Sequence, residues 1–348
     1  MKIDIFGLTL SELQELLVER SIPKFRAKQI YDWLYAKHMV DFAAMKNLGM
    51  ATIEKLQEHF YIAPQQIKPV KQLVSKDGKT QKVLLEFADG ESCESVLMRH
   101  SYGNSVCVSS QIGCAMACKF CASGLHGFIR NLTAAEMLAQ VSFFAAQVAK
   151  DGGRISHIVI MGSGEPLLNY DNVLKFIHLA HDPQVFNISY RNITLSTSGI
   201  VPNIERLQQE ELPINLAISL HAASDAKRRE IMPINDKYNL ETLISATRAY
   251  AHSSKRQITY EYVLIKDFND SAEDAKALST LLKGHIASVN LIPVNSVREH
   301  GREQSERLRI NNFLECLQKN GTTATIRKEM GADIDAACGQ LRNKHLER

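Results

Sequence analysis

Cys114-Ala115-Met116-Ala117-Cys118-Lys119-Phe120-Cys121 sets three cysteines at C-x3-C-x2-C spacing, directly after an apolar, strand-like run at 106–110. The chain has seven cysteines in 348 residues, so three of them within one short loop is a cluster that asks for a cause. A [4Fe–4S] centre takes four thiolates as a rule, and a set of three leaves one iron open to an outside ligand. Two plainer readings compete. Free cysteines are common in apolar cores. Structural zinc is the other, but it wants four closed ligands, and no partner histidine stands at finger spacing. The tight bunching favours the iron–sulfur reading.

The composition, 45% hydrophobic and 23% charged, suits one large globular domain with a smaller one attached. The net charge of +3 is compatible with a nucleic-acid partner without requiring one. No uncharged apolar run is long enough to cross a bilayer. Met1-Lys2-Ile3-Asp4 lacks the apolar stretch of a signal peptide. These features lead us to expect a cytoplasmic protein without membrane contact, a monomer by default. There cysteines stay reduced and serve metals or catalysis more often than bridges.

Residues 1–65 read as a small helical domain. Thr9-Leu10-Ser11-Glu12 is a capping box, followed by Leu13, Leu16 and Leu17 at helical spacing. Pro23 suits the start of a second helix with Ile30, Trp33 and Leu34 on one face, and a third helix is expected near 51–60. Lys24, Arg26 and Lys28 read first as a solvated face and, more sharply, as cations for RNA phosphates. Residues 66–100 read as a β-meander linker, with turns at Lys76-Asp77-Gly78-Lys79 and Ala88-Asp89-Gly90.

From 101 onward strands and helices alternate. Strands are predicted at 106–110, 157–161, 193–196, 215–220, 259–264 and 289–293, with helices at 133–150, 171–181, 204–211, 240–252 and 272–282. That alternation predicts an α/β fold with right-handed crossovers and a parallel sheet. Six strands fall short of a closed eight-stranded barrel, so a partial (β/α)6 barrel is expected over 101–348, with a doubly wound sheet as the alternative. Both gather ligands at the carboxyl ends of their strands.

The motifs obey that rule. After the first strand come the three cysteines, and after the second Met161-Gly162-Ser163-Gly164-Glu165-Pro166. Ser196-Thr197-Ser198-Gly199, Ser219-Leu220-His221 and Pro293-Val294-Asn295 end three more. One glycine after a strand is usually only a turn, but five such ends on one rim make a ligand site. Glycine lets backbone approach a ligand closely, and Glu165 offers negative charge. Ser196, Ser219, His221 and Asn295 offer hydrogen bonds, although a histidine at a strand end is as often a satisfied structural group. Cys338 sits in a loop of small residues, where a thiol is accessible and reactive if its thiolate is stabilised. Cys107, taken alone, reads as an inert core thiol.

The cysteine spacing, with an aromatic residue, Phe120, before the third cysteine, resembles the radical S-adenosylmethionine (SAM) superfamily. Across essentially its full length the chain resembles one branch of it, the adenine-C2 methyltransferases of ribosomal and transfer RNA. The resemblance is carried by Phe25-Arg26-Ala27-Lys28-Gln29-Ile30, Cys107-Val108-Ser109-Ser110-Gln111 running into the cysteines, and Arg130-Asn131-Leu132-Thr133. It continues through Leu195-Ser196-Thr197-Ser198-Gly199, Ile218-Ser219-Leu220-His221-Ala222, Met232-Pro233-Ile234-Asn235, Asn290-Leu291-Ile292-Pro293 and residues 333–341.

The resemblance implies a [4Fe–4S] cluster ligated by Cys114, Cys118 and Cys121, whose open iron is chelated by SAM. It implies SAM contacts from Gly164, Glu165, Ser196, Ser219, Leu220, His221 and Asn295. It implies Cys338 as the methyl-carrying cysteine, Cys107 as its resolving partner through a transient disulfide, and Glu94 as the proton acceptor. The substrates implied are 23S rRNA and tRNA, with an electron donor such as flavodoxin or ferredoxin. Adenine C2 is electron-poor, so direct transfer of an electrophilic methyl group to it is mismatched. The family's route uses two SAM molecules. One methylates the Cys338 thiolate. The other yields a 5′-deoxyadenosyl radical that takes hydrogen from the S-methyl group, and the resulting S–CH2 radical adds to C2. Proton loss and attack by Cys107 then release the base, and the disulfide must be reduced before the next turnover. The adenine must be splayed from its stack to enter, with Arg298, Arg302, Arg307 and Arg309 expected to meet phosphates.

Two positions depart from the family's pattern: Ser163, where methionine is usual, and Ser123, where threonine is common. A sister clade that methylates C8 of the same rRNA adenine shares the cysteines, although Pro166, Ser198 and the 219–222 run look more like the C2 clade. A non-catalytic iron–sulfur RNA-binding protein would cleave no SAM and leave Cys107 and Cys338 without a role. A radical SAM enzyme acting on a protein or small molecule is set aside only by the family-level resemblance.

Overall fold

The computed structural model describes residues 2–295 and 297–341. At the N-terminal end β1 (Ile3–Asp4) pairs in parallel with β2 (Phe60–Tyr61), enclosing three helices: α1 (Leu10–Glu19), α2 (Arg26–Tyr31) and α3 (Met50–His59). The Thr9/Glu12 capping box forms, each side chain accepting from the other's backbone N–H. Leu13, Leu17, Ile30 and Leu34 are fully buried, as helical spacing requires. A single turn, α4 (Ala63–Gln66), leads into the main sheet.

That sheet has ten strands. β3 (Lys68–Val74), β4 (Thr80–Glu86), β5 (Ser92–His100) and β6 (Gly103–Cys107) form an antiparallel meander. A small pair, β7 (Gln111–Gly113) with β8 (Phe128–Asn131), brackets the cysteine loop. The chain then alternates: α5 (Ala134–Lys150), β9 (Ile155–Ile160), α6 (Tyr170–His181), β10 (Ile193–Thr197), α7 (Val201–Gln209) and β11 (Asn215–Ser219). It continues with α8 (Asp225–Ile231), α9 (Leu240–Ser254), β12 (Ile258–Leu264), α10 (Ala272–Leu281), β13 (Ala287–Pro293), α11 (Arg307–Lys319) and β14 (Ala324–Ile326).

From β6 onward the parallel strands lie side by side in sequence order: β6, β9, β10, β11, β12, β13, β14. A doubly wound sheet would reverse direction midway; this sheet winds one way, as a barrel does, and its ends at β3 and β14 leave it partial. The short β14, α8 and α11 were not anticipated. The first barrel strand stops at Cys107 rather than at 110. There the Gln140 side chain of α5 takes over the role of a neighbouring strand, accepting from Ser109 N–H at 2.8 Å and donating to Ser109 O at 2.9 Å.

The meander is hydrogen-bonded into the barrel sheet through β5 and β6 rather than standing apart. Lys82, Val96, Cys107 and Val159 form one register row across four strands, so their side chains share a face. The chain's last described residues lie over that face: Ala336 and Leu341 pack on Val96, Cys107, Met98, Val159 and Met161. Among the described residues no helix is long and apolar enough to cross a membrane.

Candidate active site

The carboxyl ends of the parallel strands surround a cavity of about 920 Å³, counting the space at its open mouth. Cys114, Cys118 and Cys121 line one wall. Burial pushes all three thiols up, Cys114 to about 12; Cys121 raises Cys114 and Cys118 further, while Cys121 itself is eased by hydrogen bonds from Ser123 and raised by Cys338. Among the described residues no three His, Cys, Asp or Glu side chains gather round a single ion-sized point. The thiols instead share a wall, which fits a four-iron cluster that takes each thiolate on a separate iron. The loop is pinned where Lys119 N–H donates to Ile231 O at 2.9 Å and Ala122 N–H to Gly339 O at 2.7 Å.

The Gly162–Glu165 turn follows. A Cβ at Gly162 would stand 2.5 Å from Ser109 Oγ, and Gly164 has φ +107° with Gln111 closer than any side chain tolerates. Gln111 Oε1 accepts from Glu165 N–H at 2.8 Å, and its amide donates to Asn131 Oδ1 at 2.8 Å. The Glu165 carboxylate accepts from Thr197 Oγ1 and Ser198 N–H, both at 2.7 Å, and from Leu167 N–H at 3.0 Å. Burial raises its pKa and these bonds oppose the rise. Glu165 thus ties the turn after β9 to the end of β10. The two departures from the family's pattern touch: Ser163 Oγ donates to Ser123 Oγ at 3.2 Å, which donates to Leu341 O at 2.8 Å. The Ser163 side chain is therefore turned away from the main cavity, whose lining omits it.

Ser196, Ser219, His221 and Asn295 all line the cavity. His221 Nδ1 accepts from Val263 N–H at 3.0 Å, which leaves the ring proton on Nε2. Burial first, then the Arg228 charge, push its pKa down to about 3, so the ring is neutral, edge-on to Phe120 at 4.6 Å. The structural reading of His221 therefore holds through Nδ1, and the residue also lines the cavity. The Leu220 side chain does not reach the cavity; it is fully buried in the core. Any contact it makes with a ligand is through its backbone.

Two arginines escaped the sequence reading. Arg228, fully buried on α8, donates to Ser198 O at 2.7 Å, Leu220 O at 3.2 Å, Ser219 O at 3.3 Å and Asn235 Oδ1 at 3.1 Å. It draws the ends of β10 and β11 together and explains the Met232–Asn235 motif; burial lowers its pKa to about 10. Arg327 follows β14 into the cavity wall, 3.7 Å from Glu261 and beside Cys338, the neighbour that does most to hold its pKa above the usual arginine range. A guanidinium facing a cysteine is the electropositive setting a nucleophilic thiol needs. Had β14 been recognised, the rule about strand ends would have found it.

Cys338 lines the cavity, and Asn295 Nδ2 donates to its carbonyl at 2.9 Å. Cys107 lies outside that lining, buried against Leu341, with its thiol pushed up to about 12 chiefly by burial. Glu94 is also off the main cavity, in a cleft shared with Ser123 and Ser163, and pairs with Lys82 at 2.9 Å. Of the four expected phosphate contacts, Arg302 bonds Glu230 at 2.9 Å and Arg309 pairs with Asp267, so both already serve carboxylates.

A family profile described as the radical SAM superfamily matches residues 108–278, and one described as the ribosomal RNA large subunit methyltransferase N-terminal domain matches 3–62. A probable dual-specificity RNA methyltransferase RlmN of Clostridium perfringens is 49% identical over 344 residues, covering 99% of this chain and 98% of that one. The chain belongs to the RlmN family of radical SAM RNA methyltransferases. A Clostridium botulinum relative of the same description is 49% identical over 345 residues, covering 99% of each chain. A crystal structure of a radical SAM methyltransferase from Sphaerobacter thermophilus superposes with a TM-score of 0.95 at 41% identity, covering 98% of this chain and 99% of that one. The RlmN family's radical SAM fold is thus the partial barrel described above, and its family implies a [4Fe–4S] cluster and SAM.

Proposed function

We propose that this RlmN-family protein methylates C2 of an adenosine in 23S rRNA and of the adenosine 3′ of the anticodon in tRNA, with Cys338 as the methyl carrier. The observation that carries the reading is that Cys338 faces the same cavity as Cys114, Cys118 and Cys121 and the Gly162–Glu165 turn. The three thiols would hold the cluster. Gly164 and Glu165 would receive the methionine end of SAM, and Ser196, Ser219, His221 Nε2 and the Leu220 backbone its carboxylate, ribose and adenine. When bound, the cluster supplies the electron that cleaves SAM, and SAM supplies the methyl group and the hydrogen-abstracting radical.

The chain's own residues do the rest. Arg327 keeps positive charge beside Cys338, whose sulfur takes the methyl group and carries it to the base. Asn295 holds the Cys338 backbone at the cavity wall. Glu94 accepts the C2 proton. The adduct would also give up one electron, for which the cluster would be the acceptor. The Cys107 thiolate then attacks the Cys338 sulfur and breaks its bond to the methylene carbon, which takes a proton to become the methyl group. This leaves a Cys107–Cys338 disulfide that a reductant must open. Residues 1–65 serve as the RNA-gripping domain, 66–100 as the connecting meander and 101–348 as the catalytic barrel. A flavodoxin- or ferredoxin-type donor, a monomeric state and a cytoplasmic location complete the reading.

The deciding experiment is intact mass of nuclease-treated Cys107→Ala protein, purified anaerobically. Without its resolving thiol the enzyme stalls with RNA joined to Cys338 through a methylene bridge, so a trimmed nucleotide adduct on Cys338 is expected. An unmodified mass from cluster-loaded protein would refute the two-cysteine scheme. The buried Cys107 thiol also sets a pH dependence. Because its pKa is pushed up to about 12, only a small thiolate fraction exists near neutrality. Release of the methylated base should therefore accelerate about tenfold per pH unit between roughly 7 and 9. A pH-independent release in single-turnover quench experiments would show that Cys107 does not act as the attacking thiolate.

A further inference from the structure

Lys82 is buried on β4, only 4% exposed, and its ammonium serves two parts of the fold at once. Glu94 Oε1 on β5 lies 2.9 Å away, and the Asp335 carbonyl accepts at 2.8 Å. A buried lysine needs a counter-charge, and Glu94 meets that need. The bond to Asp335 is a separate matter, because it reaches three residues short of Cys338 in a loop that no strand pairing holds. Two more contacts run the same way. Lys76 N–H donates to Asp333 Oδ2 at 2.9 Å. Gly331, at φ +70°, sits so close to Thr80 that a Cβ would stand 2.6 Å from its Cγ2. The start of the Cys338 loop is therefore seated on the β3–β4 hairpin.

We propose that Lys82 is a positioning residue that docks the Cys338 loop onto the meander and, through the same ammonium, aims the Glu94 carboxylate. The meander is then part of the catalytic apparatus, since it sets the height of the loop over the face that carries Cys107. The docking half stands on the contacts alone; the aiming half rests on the reading of Glu94 as proton acceptor. Cys338 must meet the cavity in one step and Cys107 in another. A loop held by a handful of hydrogen bonds and packing contacts, and not by strand pairing, can be both registered and released.

The test is alkylation of the full-length protein by iodoacetamide before cluster loading, read peptide by peptide, with the half-buried Cys316 on α11 as internal reference. In Lys82→Met, Cys338 should react roughly tenfold faster while Cys316 is unchanged, as expected when a local contact is released without global unfolding. A buried Glu94 deprived of its lysine can prevent that variant from folding, so Lys82→Met/Glu94→Leu replaces the pair with apolar groups, a change that buried ion pairs commonly tolerate. The same roughly tenfold gain is expected there. Parent-like Cys338 reactivity in the folded double variant overturns the docking role. Glu94→Gln keeps an acceptor for the ammonium, so Cys338 should stay protected while RNA methylation falls. Normal methylation by Glu94→Gln overturns the aiming half and, with it, the reading of Glu94, leaving the docking result to stand by itself.

Discussion

Cys338→Ser should lower RNA methylation by at least about a thousandfold, the scale seen when a covalent nucleophile is removed. A serine hydroxyl is hardly ionised near neutrality and is a poor acceptor of a methyl group beside a thiolate. The substitution spares the surroundings. Asn295 bonds the residue-338 carbonyl, not its side chain, so the loop should stay in place. Cys338 stands outside the Cys114–Cys121 ligand loop, and that loop is held to its neighbour through backbone (Ala122 N–H to Gly339 O at 2.7 Å), so cluster content should match the parent. The prediction is a separation of readouts: methylated adenine, measured by mass spectrometry of digested RNA, disappears, while SAM affinity changes less than about threefold. Methylation above roughly a hundredth of the parent rate would mean that another atom carries the methyl group.

What was legible in the sequence depended on the range of the interactions involved. The capping box at Thr9 and the alternating strands and helices of the barrel are local or periodic, and both stand in the structure close to where they were expected. The strand ends were legible for the same reason: a turn chemistry directly follows an apolar run. Residues whose role is fixed by distant partners were not legible. Arg228 looks like a surface cation in Asp225-Ala226-Lys227-Arg228-Arg229, yet carbonyls from two strand ends bury it completely. Lys82 looks like an alternating outward residue of a hairpin, and only the loop more than two hundred and fifty positions later makes it inward. Leu220 shows the reverse: its place in a strand-end motif was legible, but the strand's alternation turns its side chain into the core. Cys107 reads as an inert core thiol by local rules and is buried as those rules say. Its proximity to the Cys338 loop depends on how β5, β6 and β9 are registered beneath residues 336–341.

The second large effect is expected from a single methyl group. Gly164→Ala should weaken SAM binding by roughly a hundredfold, the scale of loss when reacting groups are displaced by about an ångström. Two independent costs force the displacement. At φ +107° an L-residue is strained by about 1–3 kcal/mol whatever space surrounds it. The new Cβ would also stand 2.6 Å from Gln111 Cβ and 2.8 Å from the Gln111 backbone nitrogen. Gln111 cannot retreat without breaking its bonds to Glu165 N–H and Asn131, so the turn has to move. Glu165 moves with it, and the three bonds that aim its carboxylate from the ends of β9 and β10 are lost together. Calorimetric titration with SAM, alongside thermal unfolding, separates the local effect from a global one: affinity should collapse while most of the fold's stability remains. Trimming the neighbour is not expected to rescue the variant, because Gln111→Ala removes the Cγ at 2.8 Å but keeps the Cβ at 2.6 Å and the nitrogen at 2.8 Å. Recovery of SAM affinity in Gly164→Ala/Gln111→Ala would instead put the whole obstruction on the outer part of the glutamine side chain, and would refute the claim that the backbone of 111 dictates glycine at 164.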